Sequence, residues 1–119
     1  MKLDKLARGA QAQVVAPNGG DSVDIDRVYA GDRMSDLLSA VTDSTLLVTN
    51  LSHTMLMQVI ELMDVPALCF LHGVAPDAAV LQAAKESGTA VMVSPDGMFE
   101  TCGRLYAALG LLNAEGQAM

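Results

Sequence analysis

Residues 65–93 read VPALCFLHGVAPDAAVLQAAKESGTAVMV, and this stretch decides the fold. Two runs within it, 67–71 and 90–93, are almost wholly apolar, which is typical of strands that are covered on both faces of a parallel sheet. Between them a helical pattern runs from about Pro76 to Ser87, and the glycine that follows is placed to end the helix. A strand, a helix and a second strand in this order predict a right-handed crossover between parallel neighbours.

The same alternation continues on both sides of this stretch. Upstream, residues 33–41 show helical spacing, 45–49 form a nearly continuous apolar strand, and Thr54 to Met63 is again helical. Downstream, a last helix is predicted from about Met98 to Leu109. Three strand-to-helix units with short connections predict an α/β fold, a three-layer α/β/α sandwich with a mainly parallel central sheet and helices on both faces.

Two short extended pieces near the amino terminus complete the predicted sheet. A short helix at 3–8 precedes the first piece, 13–16, and the second piece is 27–30; either piece could be an antiparallel edge strand. We predict a single domain over residues 1–110 and a flexible C-terminal tail over 111–119, because no internal boundary or repeat interrupts the pattern.

Composition and charge narrow the range of functions. The 119 residues are 51% hydrophobic, with a mean hydropathy of +0.34, as expected for one domain that buries a core. Seven Lys and Arg against fourteen Asp and Glu give a formal charge of −7, so we expect no nucleic acid partner. No run reaches the ~18 apolar residues of a membrane span, and the first residues do not resemble a signal peptide. The predicted location is the cytoplasm, with no membrane partner.

The two cysteines, Cys69 and Cys102, both lie in apolar segments. Neither has a partner at the spacing that zinc or iron–sulfur sites require, so we expect no metal and no cofactor. A free cysteine in such a segment packs as a small hydrophobic residue, and reduced thiols fit a reducing compartment. We therefore also expect no disulfide.

Four stretches carry a resemblance to a known family, namely VYAGDRMSDLL at 28–38, LLVT at 46–49, VP at 65–66 and FETCGRLY at 99–106. In these the chain resembles a stand-alone DRTGG domain, over nearly its whole length up to Tyr106. DRTGG domains are similar to the amino-terminal domain of HPr kinase/phosphatase. They also occur fused to phosphotransacetylases and to CBS-domain pyrophosphatases, where they accompany the catalytic domain.

The resemblance implies a regulatory or dimerising module. Stand-alone members are often encoded near iron-only hydrogenase subunits, which implies a redox-linked partner. In this chain Asp32 and Arg33 are followed by Met34 and Ser35, without the Thr-Gly-Gly string that a glycine-dependent ligand loop would need. No GxxxxGK[ST] loop is present to hold a triphosphate, so kinase activity would need another chain.

A candidate site follows from the predicted sheet. In open parallel sheets, ligands bind outside the carboxyl ends of the strands, where the polar segments after four predicted strands should converge. Those segments are 31–33, 49–53, 72–73 and 94–97. Two strand ends there meet two helix starts, whose free amides favour an anion. The predicted ligand-binding residues are Asp32, Arg33, Asn50, Ser52 and His53.

Several of these residues also have an interpretation that needs no ligand. Ser52 can cap the helix that starts at His53. Asp32 can cap the helix after it, which leaves Arg33 as an exposed or dimer-facing charge. His72, which precedes a glycine, is typical of a turn.

Three functions remain open. The first is a non-catalytic regulatory or interaction domain, a homodimer, that binds a small anionic metabolite or nucleotide, or a partner protein, at the carboxyl edge of the sheet. The second is a small enzyme; Ser52, His53 and Asp96 are the residue types of a hydrolytic triad, but no GxSxG turn presents the serine, so no catalytic residue is predicted. The third is a structural subunit of a redox, hydrogenase-linked complex. We favour the first, and the high apolar fraction of so small a domain supports the dimer.

Overall fold

The computed structural model describes residues 1–19, 23–31, 34–50 and 53–110, and it contains ten helices and strands in these ranges. The strands are β1 (Gln13–Ala16), β2 (Arg27–Ala30), β3 (Thr45–Val48), β4 (Ala67–Phe70) and β5 (Ala90–Val93). The helices are α1 (Leu3–Gly9), α2 (Met34–Ala40), α3 (His53–Leu62), α4 (Ala78–Ser87) and α5 (Met98–Ala108). The tail predicted for 111–119 lies outside the described residues.

The five strands form one sheet in the order β1-β5-β4-β3-β2. Strands β2 to β5 are parallel neighbours, and β1 pairs with β5 antiparallel. The prediction of parallel neighbours at 45–49, 67–71 and 90–93 is therefore confirmed, and β1 is the antiparallel one of the two short edge strands. The apolar runs have the predicted cause, since β3 and β5 are buried throughout and β4 is buried up to its last residue.

Helices cover both faces of the sheet, as a three-layer sandwich requires. Because β2 to β5 are neighbours in chain order, right-handed crossovers place the connecting helices α2, α3 and α4 on the same face. On that face Leu47 and Leu68 of the sheet belong to one buried cluster with Leu56 and Val59 of α3 and Val80 of α4. This cluster is one half of the core.

The other half of the core lies under α1 and α5. It uses the alternate residues of the same strands, because successive side chains of a strand point to opposite faces. Leu6 and Leu105 pack there in one cluster with Cys69. The two helices approach closely at Gly9, where an added Cβ would lie 2.7 Å from the Cβ of Ala108. A side chain at that position would push α1 and α5 apart.

The helix that the sequence predicts from about Pro76 begins two residues later, at Ala78. Asp77 is its N-cap, with an extended backbone and a carboxylate that accepts a hydrogen bond from the amide of Val80 at 3.0 Å. This bond satisfies an amide that the first turn of a helix otherwise leaves without a partner. At the other end Gly88 adopts the left-handed conformation, with φ of 72°, and ends the helix as predicted.

We expect Asp77→Ala to lower the free energy of unfolding by about 1 kcal/mol, because it removes the acceptor of the Val80 amide. Urea unfolding followed by circular dichroism measures the change. The matched variant Asp77→Asn keeps a side-chain oxygen and should lose much less. No loss in Asp77→Ala, or an equal loss in Asp77→Asn, would contradict the stabilising role of this hydrogen bond.

Candidate functional site

The carboxyl ends of the parallel strands are joined by backbone hydrogen bonds. The amide of Gly31, just after β2, donates to the carbonyl of Val48 at 3.1 Å. The amide of Thr49, just after β3, donates to the carbonyl of Cys69 at 3.4 Å. The polar segments that follow these strands therefore start from one continuous edge.

The ends of β4 and β5 are in direct contact. The amide of His72 donates to the carbonyl of Asp96, and the amide of Gly73 donates to the carbonyl of Ser94, both at 2.8 Å. A Cβ added to Gly97 would lie 3.1 Å from Cε1 of His72, so the glycine allows this approach. The chain leaves β4 towards α4 and leaves β5 towards α5 on the opposite face, which makes this the topological switch point of the sheet. At this switch point the loops after β4 and β5 contact each other.

The polar side chains after β5 have partners within the protein. The hydroxyl oxygens of Ser94 and Thr101 lie 2.7 Å apart and are buried. Asp96 forms an ion pair with Arg104 of α5. The carboxylate that a Ser-His-Asp triad would use is thus engaged in anchoring the loop to α5.

A cavity of about 350 Å³ opens one step along this edge, at the ends of β3 and β4. It lies on the face covered by α3 and α4, and the apolar side chains in its wall come from both helices, from the end of β4 and from the loop after it. These side chains are Leu56, Phe70, Leu71, Val74, Ala75, Pro76 and Val80. The volume and the apolar wall are those of a small-molecule site.

Four polar residues complete the wall of this cavity, which we call the strand-end cavity. Thr49 is buried and Asn50 is exposed, both directly after β3. His72 is exposed, with a left-handed backbone at φ of 60°. Asp77 contributes the carboxylate that caps α4. A few polar groups converging on an apolar wall give a site orientation and specificity.

The structure describes only part of the predicted site. Asn50 lines the strand-end cavity. His53 is the first residue of α3, which forms one side of that cavity. Asp32, Arg33, Ser52 and the side chain of His53 lie outside the described part of the chain, and their assignment as ligand residues stays a prediction.

Sequence reasoning missed the contribution of the loop from Leu71 to Asp77. The sequence predicts a turn at 72–73 and a helix from about Pro76, whereas in the structure the loop continues to Asp77 and forms part of the cavity wall. The predicted strand and helix leave only residues 72–75 between them, an ordinary length for such a connection, so this length carries no signal. In the structure seven residues separate Phe70 from Ala78, and Val74 is 66% exposed, so the loop presents an apolar surface to solvent.

The surroundings of both cysteines disfavour their thiolate forms. Burial raises the pKa of the Cys69 thiol to about 12, and the nearby Cys102 adds to the shift. Burial also raises the pKa of the Cys102 thiol. Both shifts favour the neutral thiol, whereas a catalytic cysteine needs a lowered pKa.

Two further features concern only the described ranges. Within them, no three His, Cys, Asp or Glu side chains are grouped so that they could hold a metal ion. None of the helices there is long and apolar enough to cross a bilayer.

No protein family pattern matches the chain, and no curated protein matches its sequence. Its structure is similar to the crystal structure of the CBS and DRTGG domains of the regulatory region of Clostridium perfringens pyrophosphatase, complexed with the activator diadenosine tetraphosphate. The TM-score is 0.69 at 16% sequence identity, over 90% of this chain and 46% of that one. The likeness confirms a DRTGG-like α/β fold. This chain spans less than half of that structure.

Proposed function

We propose that this chain is a non-catalytic, dimeric regulatory domain that binds a small anionic ligand, a nucleotide or a phosphorylated metabolite, at the carboxyl edge of its sheet. The observation that carries the proposal is the strand-end cavity of about 350 Å³. The likeness to a regulatory region that holds diadenosine tetraphosphate supports the choice of ligand class.

The walls of the cavity suit a ligand with a flat apolar part and a polar part. Phe70, Val74 and Pro76 offer apolar surface to a nucleobase. Asn50 carries both donor and acceptor groups, as recognition of a base or sugar requires. We assign the anionic part of the ligand to the predicted residues Arg33 and His53, because a guanidinium binds phosphate through paired hydrogen bonds.

The chemistry of the described residues favours binding over catalysis. Burial raises the pKa values of the two thiols, which disfavours a nucleophilic thiolate. Asp96 is paired with Arg104, and Asp77 caps α4. These ionisable groups have structural roles, and a regulatory domain needs only the cavity.

A thermal-shift screen with nucleotides, diadenosine tetraphosphate, pyrophosphate and phosphorylated sugars tests the proposal. A ligand present at about 100 times its Kd stabilises the folded state by about 2.7 kcal/mol. For a domain of this size that raises the Tm by roughly 10 °C. We expect at least one nucleotide to produce such a shift.

Variants then locate the binding. Asn50→Ala and His72→Asn should abolish the ligand-induced shift and change the ligand-free stability by under ~0.5 kcal/mol, since both residues are exposed. Asparagine is chosen at His72 because it tolerates the left-handed backbone. Arg33→Ala and His53→Ala should behave alike, and Lys85→Ala at the far end of α4 should keep the full shift. A flat response to the whole panel, or normal binding by the Asn50 and His72 variants, would refute the site.

A further inference from the structure

Phe99 is the most exposed of the large hydrophobic side chains in the described part of the chain. It lies in the first turn of α5, with 86% of its surface exposed. An aromatic ring of this kind buries ~150–250 Å² when it is covered, and exposed aromatic anchors are enriched at protein interfaces. The residue therefore indicates a surface that another molecule covers.

A groove of about 360 Å³ lies between the same helix and β2. Its apolar lining is Val28 and Ala30 from β2, and Cys102, Tyr106 and Leu109 from α5 and its end. Asp26 and Arg27, at the start of β2, line it as well. Burial raises the pKa of the Cys102 thiol, which favours the neutral form of this side chain in the groove. The groove lies under α5, on the face of the sheet opposite to the strand-end cavity.

Phe99 and the groove are separated by two turns of one helix. Tyr106 follows Phe99 by seven residues, which places it ~10.5 Å further along α5 and on nearly the same side. Between them Gly103 is exposed, and a Cβ added there would have no neighbour within 4 Å. A second helix can therefore cross α5 closely at Gly103.

We propose that two copies of the chain associate through this surface, with Phe99 of each copy inserted into the groove between α5 and β2 of the other. A two-fold axis near Gly103 makes the two α5 helices antiparallel and brings Phe99 beside the partner's Tyr106. In such a contact each copy supplies one Phe99 ring and one groove, so the two-fold symmetric interface is complete with two copies. The proposal rests on the dimer included in the proposed function and gives that dimer an interface away from the ligand site.

The size of the interface predicts its strength. Two inserted rings, with the groove walls that they cover, bury roughly 600–1,000 Å² in total, at the low end for specific complexes. We therefore expect a reversible dimer in the micromolar range. Its mass should be twice the chain mass of 12.4 kDa at high concentration and fall towards one chain on dilution.

Sedimentation equilibrium over micromolar to millimolar protein measures this association. Phe99→Ala should weaken it at least about 100-fold, because an anchor residue is lost from both halves of the interface. Ala30→Phe, at an exposed position in the lining, should do the same by filling the groove. The matched control is Leu62→Ala, which removes a side chain of 75% exposure from α3 on the opposite face and should leave the association unchanged.

A wild-type chain that stays monomeric throughout, a Phe99→Ala chain that dimerises normally, or a Leu62→Ala chain that dissociates would each overturn this interface. The ligand-induced thermal shift of Phe99→Ala separates the two proposals. A normal shift in a monomeric Phe99→Ala chain supports the interface and leaves the ligand site intact. A nucleotide shift in a wild-type monomer would refute the interface and the dimer, and it would leave the ligand site standing.

Discussion

We expect Leu68→Ala to lower the free energy of unfolding by about 3–5 kcal/mol. Leu68 lies in β4, the middle strand of the sheet, and its exposed fraction is 0%. Its neighbours across the sheet are Leu47 and Val91, and α3 and α4 cover it. The removed side chain leaves a cavity that the surroundings cannot close, because strands on both sides hold the backbone in place.

Urea unfolding with linear extrapolation measures this loss, and Leu62→Ala is its matched control. The control makes the same chemical change at a position of 75% exposure, so it should cost under ~0.5 kcal/mol. Similar losses in the two variants would mean that β4 is not the central strand of the core.

We also expect the protein to lose stability above pH 9 because of Cys69. The folded protein holds the pKa of this thiol at about 12, against an ordinary value of 9.0, chiefly through burial. Between these two values the unfolded chain has released the proton and the folded chain still binds it. Raising the pH therefore favours unfolding, by about 1.4 kcal/mol for each pH unit in this window. Below pH 9 the contribution is fully present.

The comparison of wild type with Cys69→Ala isolates this effect from the other groups that titrate in alkali. We expect the free energy of unfolding of the wild type to fall by about 2 kcal/mol more than that of the variant between pH 9 and pH 10.5. The absolute stability of the variant is lower because a buried side chain is shortened, so the difference in slope is the quantity to measure. Parallel pH profiles would contradict the burial of Cys69.

The three central strands of the sheet are predictable from the local pattern of apolar residues. The runs at 45–49, 67–71 and 90–93 are apolar on both faces, and only a sheet with two covered faces accommodates them. The direction of the two edge strands is less predictable, because the segments 13–16 and 27–30 have the same length and similar exposure. Their direction is decided only by the strand with which each pairs, β5 for the first and β3 for the second. The placement of α1 and α5 on one face likewise depends on strand order, which local pattern does not contain.

The candidate site, like the fold, is predictable from the sequence only in part. The strand ends that were expected to converge do meet at β4 and β5, because parallel strands must end at one edge. Asn50 lines the cavity as a consequence. The loop after β4 is longer than the sequence predicts, since Pro76 suits the first turn of a helix and the cap at Asp77 becomes visible only in three dimensions.

Nuclear magnetic resonance of the full chain tests the central claim most directly. The ¹H–¹⁵N spectrum is recorded while the nucleotide with the largest thermal shift is added to saturation. The account predicts that the strongest amide shifts cluster around the strand-end cavity, at Thr49, Asn50 and Val74. Shifts concentrated instead at Cys102 and Tyr106 in the groove under α5, or an unchanged spectrum, would contradict it.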